Sequence, residues 1–322
     1  MSVTGGAMRT AEFQEQGYIV VPGLLTQADL RPVRDEYEQL LDDLAEKWRG
    51  EGRIGDTYAG LPFESRLARI VADGDVPYYK PFDISLRFGT IRPDDPIHLG
   101  PAVFRLLTHP AILAVVSELI GPEVSASPIQ HNRIKLPERL LSAKNRTSLS
   151  ARATWHQDQA AGLPDADDTE VITVWVAVSD ATVGNGCLMV VPRSHDALMQ
   201  HCSRGAAGRN LSIPEDLLPG EPVDLEVSSG SVILMHRRLI HQSRVNESDG
   251  LRWSFDFRYQ PVGTPTGRPQ FPSFVAHSAS DPHSVVDDPA EWARMWLATR
   301  ARLAAAGADE KYRRWNGPEA AC

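Results

Sequence analysis

The chain has 322 residues, with 33 Lys and Arg against 42 Asp and Glu, a formal net charge of −9 and 42% hydrophobic residues. A chain of that length buries enough surface to fold without a disulfide or a structural metal, and its acidic balance argues against nucleic acid or an anionic membrane as main partner. The three cysteines, Cys187, Cys202 and Cys322, suggest no paired framework and suit a reduced cytosol. Residues 1–10 lack the apolar run of a secretory signal. Apolar stretches such as Ala111–Ile120 are shorter than the ~20 residues of a membrane span, so a soluble cytoplasmic protein is expected. Its oligomeric state is left open.

In chain order, Phe13 to Gly17 reads as the end of a short helix, and Tyr18-Ile-Val-Val-Pro22 as a β-branched strand stopped by proline. Thr26 can cap a helix from about 27 to 48, where Leu30, Val33, Tyr37, Leu40, Leu41 and Leu44 recur at helical spacing. Residues 52–100, rich in Gly, Pro and Asp, are expected to be loops around short elements. Pro101 to Ile120 predicts a helix kinked or split at Pro110 and stopped by Gly121-Pro122. Short β-branched or alternating runs then follow: Val124–Lys135, Ala151–His156, Glu170–Val178, Cys187–Val191, Val223–Val227, Val232–Met235 and Trp253–Tyr259. Their density predicts a β-sandwich or barrel rather than a parallel α/β sheet. Pro289 to about Ala306 closes the chain with a helix. Nothing reads as a linker, so a single domain over 1–322 is expected, with a helical support region to about 122, a β core over about 123–262, and a C-terminal loop and helix beyond.

The strongest chemical signal is Trp155-His156-Gln157-Asp158 with the later His241 and Arg252. In an extended segment, residues two apart point the same way, so His156 and Asp158 can converge on one ion. His241, just past a β-run, supplies a third donor. His236 is its rival, but the chain from His241 to Arg252 favours His241. Two His and one carboxylate on one face of a metal leave the opposite face open, which is the ligand set of non-haem Fe(II) oxygenases. Arg252 begins an alternating strand-like run, and a guanidinium turned inward beside a metal needs an anion. 2-Oxoglutarate has one end to chelate iron and a second carboxylate for such a partner. Of the other histidines, His131 could face the pocket and His195 could fix a turn, while His98, His109, His201, His277 and His283 read as structural or exposed.

His156-Gln-Asp158, Asn185-Gly-Cys-Leu-Met-Val-Val-Pro-Arg-Ser-His195, Gly230-Ser-Val-Ile-Leu-Met-His236, Leu239-Ile-His-Gln-Ser243 and Arg252, with the opening Gly17–Leu25, resemble the phytanoyl-CoA dioxygenase family of Fe(II)/2-oxoglutarate oxygenases. The resemblance implies a mainly β fold with flanking helices and a double-stranded β-helix (jelly-roll, cupin-like) core. It implies His156, Asp158 and His241 as iron ligands and Arg252 as the clamp on the distal carboxylate of 2-oxoglutarate. Ser243 and Lys135 match positions near that cosubstrate, and Gln157 and Trp175 match positions that line the active site. It further implies that a small molecule is oxidised, with 2-oxoglutarate and O₂ converted to succinate and CO₂. Gln242 stands where the family often has Gly. The basic stretch with Arg139, Lys144, Arg146 and Arg152 is either a substrate-facing or a solvated loop. A lyase or isomerase on the same metal-binding fold, or a non-catalytic cupin-like binding protein, is the alternative; the first would keep the ligands but has no need of Arg252.

Overall fold

The computed structural model describes residues 3–74, 76–86, 89–143, 145–146, 153–202, 212–307, 309–310 and 314–315. Helices α1 (Val3–Gln16), α2 (Gln27–Gly50), α3 (Phe63–Asp73) and α4 (Tyr79–Phe82) occupy the N-terminal part, with β1 (Tyr18–Val21) and β2 (Gly89–Thr90) between them. Two helices, α5 (Pro101–Leu107) and α6 (Pro110–Ile120), precede the β region. That region holds β3 (Glu123–Ala126), β4 (His131–Lys135), β5 (Ile172–Ala177), β6 (Leu188–Val190), β7 (Val223–Leu225), β8 (Val232–His236), β9 (His241–Ser243), β10 (Arg252–Pro261) and β11 (Phe274–Ser278). Helix α7 (Pro289–Ala306) follows, and β12 (Asp309–Glu310) pairs back on β2.

The strands form two main antiparallel sheets. The larger runs β1-β8-β5-β10-β3-β11, with β4 also on β10, and the smaller runs β7-β6-β9. Strand β10 organises the larger sheet. Its first half pairs β4, from Arg252 opposite Lys135 to Asp256 opposite His131, and its last residues pair β3. The single run expected over Val124–Lys135 is therefore two strands. Pro128, which has no N–H to give a ladder, lies in the break between them.

The helices cover one face of the larger sheet. Trp253, Phe255, Phe257 and Tyr259 of β10 and Val174 and Val176 of β5 join Leu30, Val33, Tyr37 and Leu41 of α2 in one core. Successive strand residues point to opposite faces. The other face of β10 therefore carries Arg252, Ser254, Asp256 and Arg258, and these are buried too. A smaller apolar cluster of Trp175, Ile233 and Met235 with Leu188, Val190 and Leu225 joins the two sheets.

Helix α2 begins as the sequence predicts. Thr26 Oγ1 accepts from Asp29 N–H, and the Asp29 carboxylate accepts from Thr26 N–H at 2.8 Å, a reciprocal capping box. Thr26→Ala is expected to cost about 1 kcal/mol, read as a lower urea midpoint. Two features depart from expectation. Residues 63–73, placed among loops, form a full helix that buries Phe63, Leu67, Ile70 and Val71, and β11 was not anticipated. The stretch Pro101–Ile120 is long and apolar enough to cross a membrane. Here it is two helices, broken around Thr108 and His109, with Phe104, Leu107, Ile112 and Val116 in the core. Cys187 is free and buried, whereas Cys202 is disulfide-bonded, so the expectation of unpaired cysteines does not hold.

Candidate metal centre

His156 and His241 face each other across a short antiparallel bridge, in which each backbone N–H donates to the other's carbonyl at 2.9–3.0 Å. The ladder of the smaller sheet thus sets the two imidazoles side by side, with ring centroids 4.2 Å apart. Asp158 opens a short 3₁₀ turn, Asp158–Ala161, directly after this bridge. Donor atoms of His156, Asp158 and His241 all lie within 4.8 Å of one another. Asp158 Oδ1 is 3.7 Å from His156 Nε2 and 3.9 Å from His241 Nε2.

The hydrogen bonds around these groups fit a divalent metal. His156 Nδ1 lies 2.7 Å from Thr154 O and His241 Nδ1 lies 2.9 Å from Leu239 O. A carbonyl can only accept, so each Nδ1 carries a proton, which leaves Nε2 as the nitrogen that can face a metal. Burial, then the neighbouring His241, pushes the His156 imidazole down to about 3, so it stays a neutral donor at physiological pH. Burial opposes the charge on Asp158, but Arg258, His241 and His156 together hold its carboxyl below the usual carboxylate range. Two imidazoles that present Nε2 and one fixed carboxylate are a suitable donor set for Fe(II).

Two residues that the sequence did not single out hold Asp158. Arg258 donates to Oδ1 at 2.6 Å and Thr173 Oγ1 donates to Oδ2 at 2.5 Å. They stand opposite each other in the β5–β10 register. A readable signal existed for Arg258: it repeats the Arg252–Ser254–Asp256 face of β10.

Arg252 lines the same cavity, together with Trp175, Lys135 and Ser243. It is 1% exposed, and its guanidinium carbon lies 5.3 Å from the Trp175 ring centre. One terminal nitrogen donates to Ser254 Oγ at 2.5 Å, while Nε is buried with no acceptor. Among the described residues no carboxylate forms an ion pair with it, and burial pushes its pKa down to about 10 despite help from Asp256. A buried cation left in this state is built to receive an anion. Lys135 Nζ donates to Ser243 Oγ and to Arg244 O, both at 2.6 Å. Arg133, beside them, is paired with Asp256.

Other expectations fare differently. Gln157 is fully buried but turned away from the cavity, because it alternates with His156 and Asp158. Its amide nitrogen donates to Ala197 O at 2.8 Å and Arg238 O at 2.5 Å, and Oε1 accepts from Met199 N–H. It braces the ligand segment and does not line the cavity. His131 binds Asp83 and Ser85 through Nδ1. Arg139 is engaged with Ser248 O and Asp249, and Arg146 lies beside Glu138. Lys144 and Arg152 lie outside the described residues, as does the start of the run Ala151–His156; among its described residues, His156 alone forms a bridge.

His236, the rival third ligand, packs near Phe13 and His195 instead. Burial, then Arg237, pushes its pKa down to about 3, against an ordinary value near 6.5. Between these values only the unfolded chain takes up the proton, so this residue destabilises the fold as pH falls below about 6.5 and contributes nothing above it. His236→Gln is expected to make the drop in urea midpoint between about pH 7 and 4 shallower.

Comparison with known proteins agrees with this geometry. The phytanoyl-CoA dioxygenase (PhyH) family matches residues 13–254. An Arabidopsis thaliana protein named phytanoyl-CoA dioxygenase is 22% identical over 271 residues, covering 76% of this chain and 89% of that protein. Phytanoyl-CoA dioxygenase domain-containing protein 1 of Rattus norvegicus is 29% identical over 175 residues, and there the match spans 50% of this chain and only 54% of the relative. Among solved structures, the non-heme monooxygenase ThoJ gives a TM-score of 0.56 at 20% identity, covering 93% of this chain and 98% of that one. EvdO2 from Micromonospora carbonacea var. aurantiaca, complexed with 2-oxoglutarate, gives 0.52 at 19% identity, covering 81% and 95%. The likeness shows the fold, mainly antiparallel β with flanking helices and of the cupin-like jelly-roll kind. Fold, family match and donor set together define an iron(II)/2-oxoglutarate-dependent oxygenase, with O₂ as its second cosubstrate. The chain belongs to the phytanoyl-CoA dioxygenase family.

Proposed function

We propose that this protein oxidises a C–H bond of a small-molecule metabolite, by hydroxylation, as 2-oxoglutarate and O₂ become succinate and CO₂. One observation carries the reading: the His156–Asp158–His241 cluster and the acid-free guanidinium of Arg252 line one cavity. A lyase or isomerase that works without 2-oxoglutarate would have no use for the second feature.

Iron(II), held by His156, Asp158 and His241, supplies the oxidising chemistry when bound. The rest is done by the chain. The Thr154 and Leu239 carbonyls keep both imidazoles in the tautomer that offers Nε2. Arg252 forms charge-assisted hydrogen bonds to the distal carboxylate of 2-oxoglutarate, beside Ser243 and Lys135. Trp175, Leu188 and Met235 form apolar wall, which excludes water from the reacting groups. On this reading the whole chain acts as one oxygenase unit, because helices α2, α5 and α7 share the core of the larger sheet.

The test is a screen of candidate metabolites with Fe(II), 2-oxoglutarate and O₂. The expected result is substrate-dependent succinate release, with a product that has gained one oxygen. Products that have lost two hydrogens, or are isomeric with the substrate, would replace hydroxylation by another oxidative outcome. Structural neighbours include SnoN, described as an epimerase in complex with Fe3+ and alpha ketoglutarate, at a TM-score of 0.51. Turnover supported by zinc alone, without succinate, would overturn the oxygenase reading.

A further inference from the structure

Asp158 and Arg258 line a second cavity as well as the metal-facing one. It is small, about 20 Å3, and has apolar walls from Ile129, Leu163, Ala166 and Val171. Arg237, Arg258 and Arg314 also line it, whereas Asp158 is the one carboxylate among its described lining residues. Arg258 is paired with Asp158 and Arg314 with Asp167, which leaves Arg237 as the cation of the three with no described carboxylate at ion-pair distance.

The donors of these arginines are only partly used. Arg258 gives its terminal nitrogens to Asp158 at 2.6 Å and to Ile129 O at 3.2 Å, but its Nε–H is buried with no acceptor. Arg314 grips Asp167 with both terminal nitrogens, at 2.5 and 2.8 Å, and reaches Gln159 O and Gly162 O at 3.3 and 3.2 Å. Its Nε–H is likewise buried and unmatched. Arg237 makes one hydrogen bond, from Nε to Gln159 Oε1 at 3.3 Å, and no described carboxylate lies within ion-pair distance of it. Burial, then the adjacent Arg238, disfavours its charge, against weaker support from Glu170, Asp168 and Asp167. Buried donors without acceptors, beside a cation without an acid, are what a carboxylate or phosphate would satisfy, since a guanidinium matches either in a two-point fork.

We propose that this second cavity is an oxyanion subsite, and that the molecule oxidised at the metal carries a carboxylate or phosphate seated between Arg237, Arg258 and Arg314. The proposal rests on the function argued above and adds the class of substrate. The subsite is separate from that of 2-oxoglutarate, because Arg252, Lys135 and Ser243 line the first cavity and not the second. An oxyanion held here anchors its molecule beside Asp158, one side chain away from the metal.

The test uses the full chain loaded with Co(II) in place of iron and saturated with 2-oxoglutarate, whose binding is read from the cobalt visible spectrum. Inorganic phosphate and acetate are titrated in separately, and the paramagnetic relaxation of the phosphate phosphorus or the acetate carboxyl carbon is measured. We expect a saturable enhancement for at least one probe, with affinity weakened roughly tenfold or more in Arg237→Gln and in Arg314→Gln, each of which removes a charge-assisted contact. Response to phosphate alone indicates a phosphorylated substrate, and response to acetate alone a carboxylated one. No enhancement with either probe overturns the subsite. So does enhancement that survives substitution, which would place the probe on the metal itself. Arg314 also braces the turn that carries Asp158, so Arg237→Gln decides the matter if Arg314→Gln fails to fold. If 2-oxoglutarate leaves the cobalt spectrum unchanged in the wild-type protein, the oxygenase reading fails and the subsite with it; normal 2-oxoglutarate binding without probe binding counts against the subsite alone.

Discussion

Asp158→Ala is expected to abolish metal binding and turnover and, in the metal-free protein, to lower stability by about 3–5 kcal/mol. The first effect follows from the loss of one of three donor groups. The second comes from Arg258. That side chain is 5% exposed and its one ion-pair partner among the described residues is Asp158. Truncation leaves a buried guanidinium uncompensated and Thr173 Oγ1 without its acceptor. Asp158→Asn separates the two effects. Its amide oxygen can still accept from Arg258, so stability should fall less, while the loss of negative charge still weakens the metal site. Urea unfolding of the metal-free proteins and Co(II) titration of each variant measure both quantities. Equal urea midpoints for wild type and Asp158→Ala would show that the Asp158–Arg258 pair does not support the fold.

Much of this architecture was legible because it rests on local rules. The capping box at Thr26, the split at Pro110, the final helix from Pro289 and most of the strands follow from spacing and from Gly and Pro. The metal donors were legible for the same reason: His156 and Asp158 are two apart in one segment, and His241 follows a β-run. What was not legible depends on contacts distant in sequence. Helix α3 has the spacing of Phe63, Leu67, Ile70 and Val71, but the Gly, Pro and Asp around it masked that signal. Strand β11 exists because β3 offers it an edge, and nothing within 274–278 announces this. Arg258 and Thr173 take their role from lying opposite each other across β5 and β10; alternation along β10 could place Arg258 on the Arg252 face, but nothing local marks its partner Thr173. Gln157 shows the converse error. A position between two ligands was expected at the site, yet strand alternation turns it into the backbone of a neighbouring loop. Strand β10 gives a general reading. Alternation of aromatic and polar residues usually marks a strand with one wet face, but here both faces are buried. A buried face bearing Arg252, Asp256 and Arg258 must be accounted for by partners or ligands.

Arg252 offers the opposite test to Asp158, from the same face of the same sheet. Arg252→Met is expected to weaken 2-oxoglutarate binding roughly 10- to 150-fold, the equivalent of one charge-assisted interaction of about 1.5–3 kcal/mol. It should leave the metal-free protein at least as stable as wild type. The guanidinium is buried with no acid to pair it, its Nε–H lacks an acceptor, and burial already pushes its pKa down to about 10. Exchanging such a group for an apolar chain of similar length removes a desolvation cost without orphaning a carboxylate. The two arginines thus differ in what they serve. Arg258 is compensated within the fold, and removing its partner should unfold the protein sooner. On the proposed function Arg252 is compensated by the cosubstrate, so its removal should spare the fold and spoil binding, the trade of stability for function found where a site is built ahead of its ligand. Isothermal titration with 2-oxoglutarate and urea unfolding of the metal-free variant check the two halves. Unchanged affinity, or a marked loss of stability, would mean that Arg252 belongs to the scaffold and that the distal carboxylate is held elsewhere.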